Sequence, residues 1–160
     1  MSTLTLSKPS LKTEFIQYVD LCSPAVYAEV ARDLRTPEDT VHAERICKVI
    51  AGRLGIFLKD ALIPNYVEHA VSTRLASEQP ADSSNYPGNT SQLTHYYPVS
   101  KRDPSLIADP TWQQFLPVDL RQPTVPRVLA GERQEVIESA RSFGIVDPAV
   151  LRLWLPSDRR

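Results

Sequence analysis

The sequence has few glycines, few cysteines and no long apolar run. Only five of its 160 residues are glycine, whereas 14 are proline, a larger share than the roughly 5% of an average chain. This balance argues against a bundle of long helices and favours fixed turns and extended segments. The longest apolar runs, 49–52 and 54–58, are much too short to cross a bilayer, so we expect no membrane span.

Neither sign of charge is in excess, since 18 basic residues stand against 19 acidic ones. We therefore expect neither nucleic acid nor an anionic membrane as a partner. The first ten residues contain no apolar signal-peptide region, and two cysteines do not make a disulfide framework. The prediction is a cytoplasmic protein with free thiols. A Cys22–Cys47 disulfide is the open alternative, and the oligomeric state is left undetermined.

The length fits one domain, and composition divides the chain into four parts. Residues 1–78 are predicted to be mainly helical, and residues 79–92 to form a polar surface loop. Residues 93–130 are rich in strand-favouring side chains, and residues 131–155 are predicted to be helical. Helices first and strands later indicate an α+β fold within a single domain of residues 1–160.

Helix-start signals divide the first part. Apolar spacing predicts a helix over 13–21, and Ser23, which is followed by proline, predicts the start of a second one. A third helix is predicted from 37 to about 54. Residues 66–76 fit either a helix or a strand.

A hairpin is the main feature of the strand-rich part. Residues 93–99 and 105–109 are predicted to pair across a polar loop, 100–104, which places His95 opposite Asp109 on one face of the sheet. A carboxylate in that position fixes the imidazole tautomer and stabilises the imidazolium. A register slip of one residue would separate the two side chains.

The elements after the hairpin are short. Residues 126–130 are predicted to form a further strand. Residues 132–143 form an amphipathic pattern that ends at a glycine, and a last short helix is predicted to start at Asp147.

A histidine–aspartate pair needs a nucleophile, and Cys47 is the main candidate. If a helix begins near Cys47, its thiol lies at the N-terminus of that helix, where free backbone N–H groups stabilise a thiolate. A neighbouring His95 would complete an activated cysteine–histidine pair. Cys22 is the alternative nucleophile, and core packing is the alternative role for Cys47.

The segment 95–115 contains a histidine, then Asp-Pro-Thr, then Gln-Phe. This order resembles papain-like and transglutaminase-like cysteine enzymes, and in particular their bacterial deamidase- and peptidase-like members. In that superfamily a cysteine on a helix precedes the histidine and the aspartate, an order that Cys47, His95 and Asp109 follow. The similarity covers about residues 40–116. It implies N-terminal helices, with a central helix packed on a small antiparallel sheet.

The resemblance implies cysteine-dependent chemistry on an amide or a thioester. Cys47 would attack the carbonyl, His95 would accept and return the proton, and Asp109 would orient His95. Water as the acceptor gives a peptidase, an amidase or a deamidase, whereas an amine gives a transferase. The substrate would be a peptide, a protein or a small amide or thioester, with no metal or organic cofactor. The alternative is a non-catalytic relative that keeps the fold as a binding module.

Two further residues of the motif are candidate substrate contacts. Gln114 either contacts substrate or supports the site from beneath, and Trp112 either lines the groove or packs in the core. His42 and His69 have no partners at ligand spacing, and two cysteines make no zinc signature.

Overall fold

The computed structural model describes residues 10–43, 47–61, 67–74 and 93–156. Helices precede the sheet and follow it, which confirms the predicted α+β class. The elements are α1 (Leu11–Leu34), α2 (Cys47–Ala61), β1 (Val67–Arg74), β2 (Leu93–Ser100), β3 (Leu106–Asp109), β4 (Leu129–Glu132), α3 (Arg133–Phe143) and α4 (Pro148–Leu151). The predicted loop 79–92 lies outside the described residues.

The four strands form one antiparallel sheet in the order β1-β2-β3-β4. Both faces of the sheet are covered by apolar side chains. The cluster under α1 and α2 includes Phe15, Val19, Ile50, Leu54, Leu58, Leu106 and Ala108. The cluster under α3 and α4 includes Tyr97, Val99, Ile107, Trp112, Val136, Ile137 and Trp154. No helix in the described parts of the chain is both long and apolar enough to cross a membrane.

Helix α1 is a single helix, so the predicted helix start at Ser23 is wrong. The Ser23 hydroxyl donates to the Val19 carbonyl at 2.6 Å, one turn back within the same helix, instead of capping a new one. The helix is instead capped at Ser10, whose hydroxyl accepts from the Thr13 N–H at 3.1 Å. The buried stripe continues past Pro24, and packing against the core outweighs the hydrogen bond that proline cannot donate.

Helix α2 begins at Cys47, ten residues after the predicted start, and it continues past the predicted end to Ala61. Residues 37–40 form a turn, and a short 3-10 turn follows at Val41–Ala43. The glycines of α2 cost roughly 1 kcal/mol each relative to alanine. The side chains of Ile50, Leu54 and Leu58 repeat at helical spacing and are fully buried, which keeps this segment helical.

The hairpin register differs from the prediction by two residues, because Val99 pairs with Ile107 and not with Ser105. The connecting loop is 101–105, and Asp103 organises it. The Asp103 carboxylate accepts from the Ser105 N–H at 3.1 Å and from its hydroxyl at 2.7 Å. Because side chains alternate with a period of two, this shift leaves His95 and Asp109 on the same face.

The remaining elements follow the sequence closely. Residues 67–74 form a strand, which settles the open choice for the described part of 66–76 and places a strand inside the part predicted to be mainly helical. Strand β4 lies at Leu129–Glu132, three residues later at its start than predicted. Helix α3 starts with a capping box between Glu132 and Glu135. Asp147 caps α4, as the sequence indicated.

Candidate active site

Three of the predicted site residues meet at one end of the sheet. Cys47 is the first residue of α2, His95 lies near the start of β2, and Asp109 ends β3. Since β2 and β3 are antiparallel, the start of one and the end of the other share an edge. His95 lies close enough to the Cys47 thiol to lower its pKa, and His95 Nε2 lies 2.5 Å from Asp109 Oδ2. Thiol, imidazole and carboxylate therefore form one continuous row.

The histidine–aspartate half of this row is wholly buried. An ionised carboxylate only accepts hydrogen bonds, so His95 Nε2 donates to Asp109, which leaves Nδ1 for the thiol. The imidazole also packs edge-on against Phe115, with 4.8 Å between ring centroids, and lies 5.7 Å from the Tyr97 ring. The ring is thus fixed in both orientation and tautomer.

Asp109 is fixed through both of its oxygens. Oδ1 accepts from the Thr111 N–H at 3.0 Å, which closes a turn over the intervening proline, a residue with no N–H to donate. Oδ2 accepts from His95 and also from the Trp154 indole N–H at 2.6 Å. The Asp-Pro-Thr run in the sequence therefore has a physical role, since it aims the carboxylate at the histidine.

The protonation equilibria of the thiol and the imidazole shift in complementary directions. Burial alone would lower the pKa of His95, but the charge and hydrogen bond of Asp109, together with the Cys47 contact, raise that pKa to about 9. Burial would raise the pKa of Cys47, but the His95 hydrogen bond and charge, with a backbone hydrogen bond from Tyr96, bring it below its usual value. Both shifts favour a thiolate–imidazolium pair.

The two cysteines have different surroundings. Both are free thiols, so the structure holds no Cys22–Cys47 disulfide. Cys47 is partly exposed at the start of α2, whereas Cys22 is buried among the apolar side chains that α1 packs against the sheet. Burial raises the pKa of the Cys22 thiol, the opposite of what a nucleophile needs. The structure therefore favours Cys47 over Cys22 as the candidate nucleophile.

Gln114 contacts the site from beneath. Its Nε2 lies 3.3 Å from His95 Nδ1, and it also donates to the carbonyl and the hydroxyl of Thr111, each at 3.1 Å. An amide group has two hydrogens, which the two Thr111 oxygens match, so Nδ1 remains available to Cys47. This placement favours structural support for Gln114 over a direct substrate contact.

Trp112 lies in the core. It has no exposed surface, and its indole N–H donates to the Pro126 carbonyl at 3.0 Å. Its ring packs at a tilt against Phe143, with 5.6 Å between centroids. This placement favours core packing over a groove wall.

Buried polar contacts also tie α1 to the segment after Asp109. The Tyr27 hydroxyl donates its one hydrogen to the Pro110 carbonyl at 2.7 Å and shares it with the Arg127 carbonyl at 3.1 Å. Close by, His42 Nε2 and Gln113 Oε1 are 3.1 Å apart. These contacts hold in place the turn that follows Asp109.

Sequence reasoning missed Trp154 and Tyr27 as parts of the site. Trp154 is 45 residues from Asp109, and Tyr27 is 83 residues from Pro110, so no local pattern connects them. A buried indole N–H or phenol must find an acceptor, and this rule could have prompted a search for one without naming it. Among the described residues, no group of three or more His, Cys, Asp or Glu side chains could hold a metal ion.

Comparisons of the chain with protein-family models, with curated proteins and with solved structures found no match. The functional interpretation therefore depends on the geometry and chemistry of the residues themselves.

Proposed function

We propose that the chain catalyses cysteine-dependent chemistry on an amide or thioester, with Cys47, His95 and Asp109 as its catalytic group. The observation that carries this proposal is the row of thiol, imidazole and carboxylate, in which His95 bonds Asp109 and lowers the pKa of Cys47. A papain-like or transglutaminase-like fold accords with the helix that starts at Cys47 and packs beside the sheet. Two free thiols also suit a reducing, cytoplasmic location.

The reaction would begin with attack of the Cys47 thiolate on a carbonyl carbon. The bond to the leaving amine or thiol then breaks, and the His95 imidazolium gives its proton to that group. Water or an amine attacks the resulting thioester, His95 takes the proton of the attacking group, and the thiolate is restored. Asp109 stabilises the imidazolium throughout. Water as acceptor gives hydrolysis, and an amine gives transfer.

The start of α2 supplies a natural place for the developing oxyanion. The first N–H groups of a helix have no partner within that helix, and Cys47 is the first residue of α2. Its backbone N–H lies on the same residue as the nucleophile, so it can donate to the carbonyl oxygen as negative charge builds there.

Burial of the charged pair favours catalysis over the alternative of a binding module. Replacing a buried ion pair with apolar side chains of similar volume is often neutral or stabilising, so a purely structural role does not require one. Here the wholly buried His95–Asp109 pair lies next to a partly exposed thiol whose pKa is lowered. Perturbed titratable groups in such an arrangement are characteristic of catalytic sites.

The first test is the pH dependence of thiol alkylation with iodoacetamide, read by mass spectrometry. The chain has only two cysteines, and Cys22 serves as an internal control of ordinary or reduced reactivity. We expect Cys47 to be alkylated at pH 6 at least tenfold faster than Cys22, and His95→Gln to remove most of that advantage. Equal rates for both cysteines at pH 6 would contradict the proposal.

The second test is acylation. Incubation with a small activated thioester should add an acyl group to Cys47, and that group should persist in Asp109→Asn because the second step is slowed. Cys47→Ala should give no adduct while losing at most about 1 kcal/mol of stability, since only a single sulfur atom is removed. An added primary amine then distinguishes transfer from hydrolysis. No adduct on Cys47 with any acyl donor would leave only the binding-module interpretation.

A further inference from the structure

The carboxylate that faces the histidine has a second donor on the same oxygen. Asp109 Oδ2 accepts from His95 Nε2 at 2.5 Å and from the Trp154 indole at 2.6 Å. All three side chains are wholly buried. A hydrogen bond to a charged acceptor in a buried environment is roughly twice as strong as one between neutral groups. The indole therefore acts on the atom that determines how strongly His95 holds its proton.

Trp154 is itself held firmly in place. It ends a 3-10 turn at Arg152–Trp154, and its carbonyl accepts from Arg133 Nη1 at 2.9 Å. The preceding carbonyl, that of Leu153, accepts from the Tyr97 hydroxyl at 2.7 Å. These bonds fasten the turn to α3 and to β2, the strand that carries His95. The indole is thus positioned against the carboxylate by the sheet itself.

We propose that Trp154 is a positioning residue of this site: its indole N–H fixes Asp109 Oδ2 and reduces the negative charge that this oxygen presents to His95. The inference depends on the proposed function for its meaning in catalysis. Its physical effect is to keep the imidazolium from becoming too weak an acid. A proton held too tightly on His95 could not be delivered to a leaving group, because efficient acid–base catalysis needs a pKa near the working pH.

Few other groups act on the histidine. From α2 it faces Cys47, from β3 it faces Asp109, and from the turn that follows it faces the uncharged amide of Gln114. The guanidinium of Arg133 lies against the Tyr97 ring and bonds its hydroxyl, and that of Arg121 bonds the Gln114 carbonyl. A change confined to the indole N–H should therefore be felt mainly through Asp109.

The chain provides a matched control. Trp112 and Trp154 belong to the same apolar cluster, both have no exposed surface, and each donates one indole hydrogen bond. The acceptors of the two indoles differ, because Trp112 donates to the Pro126 carbonyl and Trp154 to Asp109. Trp154→Phe and Trp112→Phe thus remove the same atoms from equally buried positions, and only the first removes a donor from the site.

The experiment is an NMR titration of the His95 imidazole in wild type and in both variants. Three histidines keep the spectrum simple, and His95→Gln assigns the signal. We expect Trp154→Phe to raise the pKa of His95 by about one unit, the size expected for losing a hydrogen bond to a charged group. Trp112→Phe should leave that pKa unchanged. No rise in Trp154→Phe, or an equal rise in Trp112→Phe, would overturn the proposal.

A measurement that keeps Trp154 in place covers the case in which Trp154→Phe does not fold. The chain has two indole N–H signals, which Trp112→Phe assigns. The Trp154 signal should move as His95 titrates and should move again in Asp109→Asn, while the Trp112 signal stays fixed. A Trp154 signal that stays fixed both during the His95 titration and in Asp109→Asn would also overturn the proposal. Alkylation of Cys47 is measured separately, so failure of the proposed function and failure of this inference are distinguishable.

Discussion

Two charged clusters in this molecule use similar side chains in opposite surroundings. On the outer surface of the helices, Arg53 of α2 pairs with Glu29 and Asp33 of α1, and 29% to 45% of each side chain remains exposed. At the candidate site, His95 pairs with Asp109 and neither is exposed. Water and salt compete for the surface pairs, whereas the buried pair has no contact with solvent. The comparison shows that burial, more than charge, determines how much each ion pair contributes to stability.

The surroundings also differ in how many polar groups they hold. The side chains that α1 and α2 pack against the sheet form a cluster of aliphatic and aromatic residues. Beside the site, His95, Asp109, Thr111 and Gln113 are buried together, and each has a hydrogen-bond partner. A network of this kind fixes geometry only while every member is present. We therefore expect substitutions at the site to affect stability much more than substitutions in the surface cluster.

The largest contrast should come from removing one carboxylate from each cluster. Asp109→Ala leaves a buried imidazole without its acceptor and leaves the Trp154 and Thr111 donors unpaired. We expect it to lower the free energy of unfolding by about 3–5 kcal/mol at pH 7. Asp33→Ala, where Arg53 keeps its second partner, should cost less than about 1 kcal/mol. Urea denaturation measures both values, and equal losses would remove the distinction between the two clusters.

The second contrast is in pH dependence. The pKa of His95 is raised from 6.5 to about 9 in the folded chain. Its contribution to stability is therefore complete below pH 6.5 and is lost as the pH rises through about 9, amounting to at most about 3 kcal/mol. The measurement is the free energy of unfolding from pH 6 to 10 in Cys47→Ala, so that ionisation of that thiol does not contribute. Because the Cys47 contact is one of the causes that raise the pKa of His95, the decline in this variant should end below pH 9.

Adding His95→Gln to Cys47→Ala provides the control for that profile. The decline between pH 6.5 and 9 should flatten in the double variant, because the titrating imidazole is gone. A decline of the same size in both would show that another group is responsible.

A third comparison concerns two hydroxyl groups on α1. The Tyr27 hydroxyl bonds two carbonyls of the segment around the site, whereas the Ser23 hydroxyl bonds only its own helix. Tyr27→Phe should cost about 1–2 kcal/mol, because buried carbonyls lose a donor. Ser23→Ala should cost less than about 0.5 kcal/mol, because the Val19 carbonyl is within a helix in either case. Thermal unfolding of the two variants tests this ranking, and a larger loss for Ser23→Ala would reverse it.

The two regions also differ in how far the sequence predicts them. Local signals located α3, the cap at Asp147 and the face that His95 shares with Asp109, because each depends on neighbours in the chain. The helix start near Cys47, considered for the nucleophile, is confirmed, whereas the start predicted at residue 37 is wrong. The continuity of α1 through Pro24 was missed, since burial of its apolar stripe overrode the local signals. Trp154 was missed because its acceptor lies 45 residues away. Tertiary contacts of this kind produce no periodic pattern in the sequence.

The smallest effect expected is in the surface cluster. Arg53→Met keeps most of the aliphatic stem and removes the charge that pairs with Glu29 and Asp33. We expect a loss of about 0.5 kcal/mol at low salt, within the range for partly exposed pairs, and a smaller loss in 1 M NaCl, where the Debye length is about 3 Å. The cost of Asp109→Asn should change little over the same salt range, because that pair is shielded from ions. An Arg53→Met loss above about 2 kcal/mol that salt does not reduce would mean that the surface cluster behaves like the buried one.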